Sequence, residues 1–258
     1  MSKKISFIIA SKRPYEQYAK NFVDNLCNSN HSKNFEIVIC HPNIIDDNRI
    51  IYVEDDKRIG SSYAYNKAFE HSTGDYISVC IDDGILLGDI FSVIDFLESD
   101  LFSNRKFKIT TLAGGLTDEL TRPEPQPTYP EYLIKTNNYT TFPTNCNVAC
   151  FPIVKRETIE KYLGSLWHPR IKIAHDWWLG SFLALNDEPI IQYNAAKFEI
   201  SSNSSEFIID PILKVASPRF FGESYVNTYR LIKNYKIGMN YVYDTEEDYL
   251  SEDKILSY

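Results

Sequence analysis

The stretch from Gly60 to Gly84, GSSYAYNKAFEHSTGDYISVCIDDG, constrains the fold more than any other part of the sequence. Ser61 or Ser62 is placed to cap a helix by accepting backbone N–H bonds, and Ala64, Tyr65, Ala68 and Phe69 share one apolar face behind it. Gly74 stops that helix. From Tyr76 to Ile81 every residue is apolar or small, which suits a strand buried on both faces of a parallel sheet. Asp82 and Asp83 follow directly. Open α/β sheets bind ligands in the crevice beyond the carboxyl ends of their strands, so both acids fall where such a fold does its chemistry. An ordinary Asp-Gly turn is the plainer alternative.

The rest of the chain supplies matching parts. Ile5 to Ala10 reads as a first buried strand, and Tyr15, Tyr18, Ala19, Phe22, Val23 and Leu26 recur behind it at helical spacing. Phe35 to Cys40 and Ile50 to Val53 read as two further strands, the first running into His41-Pro42. Leu87, Ile90, Phe91, Ile94 and Leu97 mark an amphipathic helix after the acids, and Lys106 to Gly115 a strand that closes on a glycine pair. Four prolines between Thr121 and Pro130 force a loop or edge, because proline removes backbone donors. Thr141 to Phe151 reads as a strand before a helix from Lys155 to Leu163, and Pro189 to Ile200 as one or two closing strands. The sum is an α/β chain.

Two arrangements carry a family resemblance. Gly60-x5-Asn66, then Gly74-Asp75-Tyr76-Ile77, an apolar strand and an acidic cluster resemble the nucleotide-sugar half of family-2 glycosyltransferases with the GT-A fold. The resemblance implies one GT-A-like, Rossmann-like domain over residues 1–258, with a mixed, mainly parallel sheet flanked by helices. Residues 1–115 form its nucleotide-sugar half, 116–200 its acceptor half and 201–258 a C-terminal helical extension. It implies an enzyme that moves a sugar from a nucleotide-diphosphate donor to a glycan or other hydroxyl acceptor, with inversion and with Mn2+ or Mg2+. In the family the acidic cluster is Asp-x-Asp and holds the metal on the diphosphate. Aligned from Gly74, the first of those acids falls on Ile81 and the second on Asp83, so Asp83 is carried over as metal ligand with Asp82 beside it on the donor.

Other donor contacts follow from the same resemblance. The family loop after the first strand wraps the nucleotide base; Ser11 and Arg13 occupy it here, one residue short, and only the Arg-Pro end matches. His41 stands where many relatives carry a base-holding Asp. Gly60 and Ser62 are expected to bring backbone close to the diphosphate or ribose, since glycine lets a chain approach a ligand unobstructed. Asn66 matches the family Asn, whereas Tyr65 stands where Arg is common. On the acceptor side an acidic pair opens a helix in the family and its Asp is the general base; His175-Asp176 matches it. Asp176 takes the base role, with His175 and Trp177 at the acceptor. An Asp at a helix start is also an ordinary cap. Relatives place a metal-binding His near residue 200; here either Glu199 or water completes the shell, or the metal is held weakly.

Composition excludes other classes. A formal net charge of −8 over 258 residues argues against a general nucleic-acid or membrane-surface binder, which needs a positive field. The apolar run after Met1 is too short for a signal segment or a span, and the reading is of a cytoplasmic chain without a transmembrane segment. Five scattered cysteines suit reduced thiols, and Cys146-x3-Cys150 lacks the second pair of a zinc site. Ile81, Cys40 and the short first loop favour a second reading, a non-catalytic binding module on the same fold for nucleotide, glycan or partner protein. A nucleotidyltransferase would need a Gly-rich, cationic phosphate loop, which Ser11 to Pro14 barely provides.

Overall fold

The computed structural model describes residues 3–29, 33–57, 60–116, 134–142, 151–167, 179, 182–183 and 186–200. Alternation decides the first half. In β1 (Ile5–Ala10), β2 (Phe35–His41) and β4 (Tyr76–Cys80), side chains point to opposite faces in turn and both faces are buried. Ile5, Phe7, Ile9, Ile37 and Ile39 pack with Phe22, Val23 and Leu26 of helix α1 (Ala19–Ser29). Ile8, Val38, Cys40, Ile77 and Val79 pack with Ala64, Tyr65 and Ala68 of helix α2 (Ser61–His71). The two helices therefore cover opposite faces. With β3 (Ile51–Glu54) the strands run β3-β2-β1-β4, all in parallel register. These four neighbours are the ones the sequence predicts.

Beyond β4 the order continues β9-β6-β10-β8-β7, formed by Pro152–Lys155, Ile109–Leu116, Ile190–Ile200, Tyr139–Phe142 and Ile134–Lys135. A tenth strand among the described residues, β5 (Gly84–Gly88), pairs antiparallel with β10. Pairing here is antiparallel except for β6 with β10, so the sheet is mixed. Short helices α3 (Val93–Leu97) and α4 (Asp100–Ser103) follow β5. After β9 comes the turn α5 (Arg156–Thr158), which widens into a π-helical turn over Ile159–Leu163 and ends on Gly164 at φ 74°. No described helix is long and apolar enough to cross a membrane.

Three local expectations are corrected. Leu87 lies in β5, because Gly84 closes against the Phe198 ring of β10 and draws the segment into the sheet; helix begins only at Val93. The expected strand does not include Phe151: Thr141 and Phe142 close β8, Phe151 lies in the bend before β9, these two strands lie on either side of β6 and β10, and residues 143–150 lie outside the described ones. Neither Ser61 nor Ser62 caps α2. Gly60 does, at φ 124°, with its carbonyl accepting from Ala64 N–H at 3.3 Å.

The edge opposite the acids is pinned by Glu36. Its carboxylate accepts from Ser6 Oγ at 2.6 Å, Thr73 Oγ1 at 2.9 Å and Gly74 N at 3.2 Å, and it pairs with Lys4. A side chain on Gly74 would sit 2.6 Å from the Ser6 backbone nitrogen, so only glycine allows this approach. Burial works against the Glu36 charge, but Lys4, Ser6 and Thr73 outweigh it and hold the carboxyl down at about 2, below its ordinary 4.5. A depressed carboxyl stabilises the fold above its unfolded value and stops doing so as pH falls through its folded one. Glu36→Gln is thus expected to cost about 2–3 kcal/mol at neutral pH, with the gap to wild type narrowing from roughly pH 4.5 towards 2. Urea unfolding of both proteins across that range measures it, and a gap that stays constant with pH would contradict the assignment.

Candidate functional site

The parallel half brings its carboxyl edge to one crevice. β1 ends at Ala10, β2 at His41 and β4 at Cys80, and α2 starts from Gly60 just after β3. The chain leaves β1 towards β2 on one side and later adds β4 on the other, so the gap above β1 and β4 is the topological switch point where α/β sheets bind ligands. Both acids sit in the turn directly beyond β4, at this edge.

Arg13 organises them. The loop holding it is set by Ser11, whose backbone N–H donates to Cys40 C=O at 3.1 Å and whose hydroxyl accepts from Arg13 N–H at 3.1 Å. Arg13 Nε donates to Asp82 Oδ2 at 2.8 Å while Nη2 donates to Asp82 Oδ1, a forked pairing to which Ser11 Oγ–H adds a further bond on Oδ2. The same Nη2 lies 3.0 Å from Asp83 Oδ2. Below the guanidinium is the Tyr18 ring, 4.2 Å from its central carbon to the ring centre, an arrangement in which the ring's negative face attracts the cation. Partial burial opposes the Arg13 charge, but Asp82 and Asp83 more than offset it and raise its pKa. Asp82 is 7 % exposed. Tyr65 closes the floor: its hydroxyl donates to Cys80 C=O at 2.7 Å, and burial together with the Asp82 charge pushes its pKa up, so it stays a neutral donor.

The remaining sequence-derived residues fall around this centre. His41 is the last residue of β2, buried, with Nε2 2.9 Å from Arg13 C=O and Nδ1 2.9 Å from Asn43 C=O and 3.0 Å from Asn43 N. It holds the Arg13 backbone. Gly60 and Ser62 open α2, and the Ser62 hydroxyl is buried with no hydrogen-bond partner among the described residues. Asn66, one turn on, faces a different element: its Nδ2 donates to Trp167 C=O and its Oδ1 accepts from Trp167 N–H, both at 2.8 Å. Glu199 lies on β10 opposite Ile85 and pairs with Lys197 at 2.8 Å. His175, Asp176 and Trp177 lie outside the described residues. Tyr18 and the pairing of Asn66 with Trp167 are parts of the site that sequence reasoning missed. Tyr18 was legible only as a helix-face residue, and nothing in the sequence marked Trp167 as the partner of Asn66.

By sequence, the chain matches no protein-family model and no curated protein. By structure it is similar to residues 1–349 of S. aureus TarS solved with UDP, at TM-score 0.58 and 14 % identity over 99 % of this chain and 72 % of that one. It is similar to the mannosyltransferase PcManGT of Pyrobaculum calidifontis solved with GDP-Man and Mn2+, at TM-score 0.53 and 12 % identity over 99 % and 70 %. GalNAc-T7 solved with UDP, GalNAc and Mn2+ gives TM-score 0.61 and 11 % identity, with 96 % of this chain spanning 49 % of that one. The chain has the GT-A fold.

Proposed function

We propose that this chain is a glycosyltransferase that moves a sugar from a nucleoside-diphosphate donor to a hydroxyl acceptor, with inversion. The observation that carries this reading is the pair Asp82-Asp83 at the switch point of a GT-A sheet, joined to Arg13 from the neighbouring strand end. Three structurally similar proteins were solved with UDP or GDP-Man, two of them also with Mn2+, which supports a donor of that class and a divalent ion here.

The donor set suits such an ion in a sparse way. Among the described residues no three His, Cys, Asp or Glu side chains group as a metal cluster. Mg2+-like ions need none, since one or two carboxylates with substrate phosphates and water suffice. Asp83 would supply the carboxylate, and the ion would neutralise charge developing on the leaving diphosphate. Asp82 is committed to Arg13 and Ser11 and holds the loop that faces the donor. Residues 1–115 form the donor half, with Ser11, Arg13, His41, Gly60 and Ser62 shaping its wall. Residues 116–200 form the acceptor half, with His175 and Trp177 lining the acceptor, and 201–258 an extension. Asp176 takes the proton from the attacking hydroxyl, and a single displacement inverts the anomeric centre.

The test is donor binding and turnover. A panel of UDP- and GDP-sugars should raise the melting temperature with Mn2+, and at least one should release its nucleoside diphosphate. Asp83→Ala is expected to abolish the Mn2+-dependent part of that binding, and Asp82→Ala to weaken it less. A panel without any binding or release would sink the proposal. One observation favours a non-catalytic binder instead: Ile81, where the family carries its first acid, packs against the core. Binding with no turnover would select that reading.

A further inference from the structure

We infer that Arg13 is a resident counter-ion that competes with the divalent ion for Asp83, so that the chain takes up the ion only together with the donor's diphosphate. The inference rests on the transferase reading and adds an order of binding to it. Among the described residues two carboxylates share the Arg13 guanidinium, two negative charges facing one positive one. That excess attracts a cation, but the Asp83 oxygen already faces Arg13 Nη2 at 3.0 Å. An ion on that carboxylate would meet a positive charge within a few ångströms, a repulsion that burial amplifies.

Nothing nearby lets Arg13 simply leave. Asp82 holds it through two atoms, Ser11 braces the same carboxylate, Tyr18 lies beneath it and His41 fixes its backbone. A diphosphate changes the balance, because its oxygens offer the guanidinium a second anionic partner while Asp82 keeps its place. Arg13 then serves the donor, and Asp83 is released to the ion. Asp82 acts through Arg13 as a positioning residue: it takes two guanidinium nitrogens and the Ser11 hydroxyl, whereas Asp83 faces Nη2 alone.

The experiment titrates Mn2+ into the full chain, following free ion by electron paramagnetic resonance, without nucleotide and then with UDP. Wild type alone is expected to bind with Kd at or above about 10⁻⁴ M, in the range of weak carboxylate sites. Arg13→Gln should bind Mn2+ alone about tenfold tighter or more, since the opposing charge is gone. The same variant should bind UDP more weakly than wild type in EDTA. Arg13→Lys, which keeps the charge but cannot fork onto Asp82, should fall between them and serves if the Gln variant does not fold. Mn2+ affinity unchanged in both variants, or wild type binding the ion alone tighter than about 10⁻⁵ M, would overturn the inference. If wild type binds neither Mn2+ nor UDP when both are present, the transferase reading itself fails, a result distinct from the first two.

Discussion

Asp176→Asn is expected to lower turnover by about 10²–10⁴-fold while melting temperature and UDP affinity stay close to wild type. A general base must accept a proton from the acceptor hydroxyl as it attacks, and an amide oxygen has almost no proton affinity for that purpose. Asparagine keeps the size of aspartate and its capping oxygen. A residue that only caps a helix gives the opposite pattern: Asn is nearly silent, and Ala costs roughly 0.5–2 kcal/mol of stability without a specific loss of rate. Both variants are needed, each with a melting curve and a transfer rate. An active Asp176→Asn enzyme would remove the catalytic assignment and leave the proposed donor binding by Asp83 and Arg13 untouched, because those residues sit in the loops that follow β4 and β1.

The parallel half was legible because its signals are local. Runs such as ISFIIA and YISVC are apolar on both alternating faces, which only a sheet covered on both sides can use, and the helices between them show one apolar face each. Antiparallel pairing was harder to read. Gly84 to Gly88 has the composition of a helix start, and what makes it a strand is β10, more than a hundred residues later, with the Phe198 ring against Gly84. The centre of the site divides the same way. Asp82 and Asp83 could be placed from the strand before them. That Arg13 forks onto Asp82, 69 positions away, is a consequence of β1 and β4 being neighbours, and no spacing in the sequence encodes it. The cap of α2 is hidden from the sequence for a physical reason: at φ 124° the backbone itself turns into the helix at Gly60, which has no side chain to signal it.

Asn66→Ala is expected to lower stability by about 2–4 kcal/mol, because it removes two bonds at once and takes the amide acceptor from the buried Trp167 N–H, while the Trp167 C=O keeps the bond from Ser165 Oγ at 2.8 Å. Trp167 is 0 % exposed, so water does not replace what the asparagine gave. The resemblance assigns Asn66 to the donor, but its amide is spent on the backbone of a residue 101 positions on, locking α2 to the segment that precedes residues 168–178. Asn66→Asp separates the two bonds. The carboxylate still accepts from Trp167 N–H, but it sets a second oxygen against the Trp167 carbonyl where the amide N–H had been, so this variant should lose at least as much as Ala. For a chain of this size the shift in melting temperature is on the order of 5–15 °C. UDP affinity measured well below the new transition should change little, since both amide atoms bond the Trp167 backbone. Turnover should fall further than binding if the clamp sets the approach of the acceptor half to the donor half. A melting temperature within about a degree of wild type, combined with a large loss of UDP affinity, would return Asn66 to the donor site and show the clamp to be energetically idle.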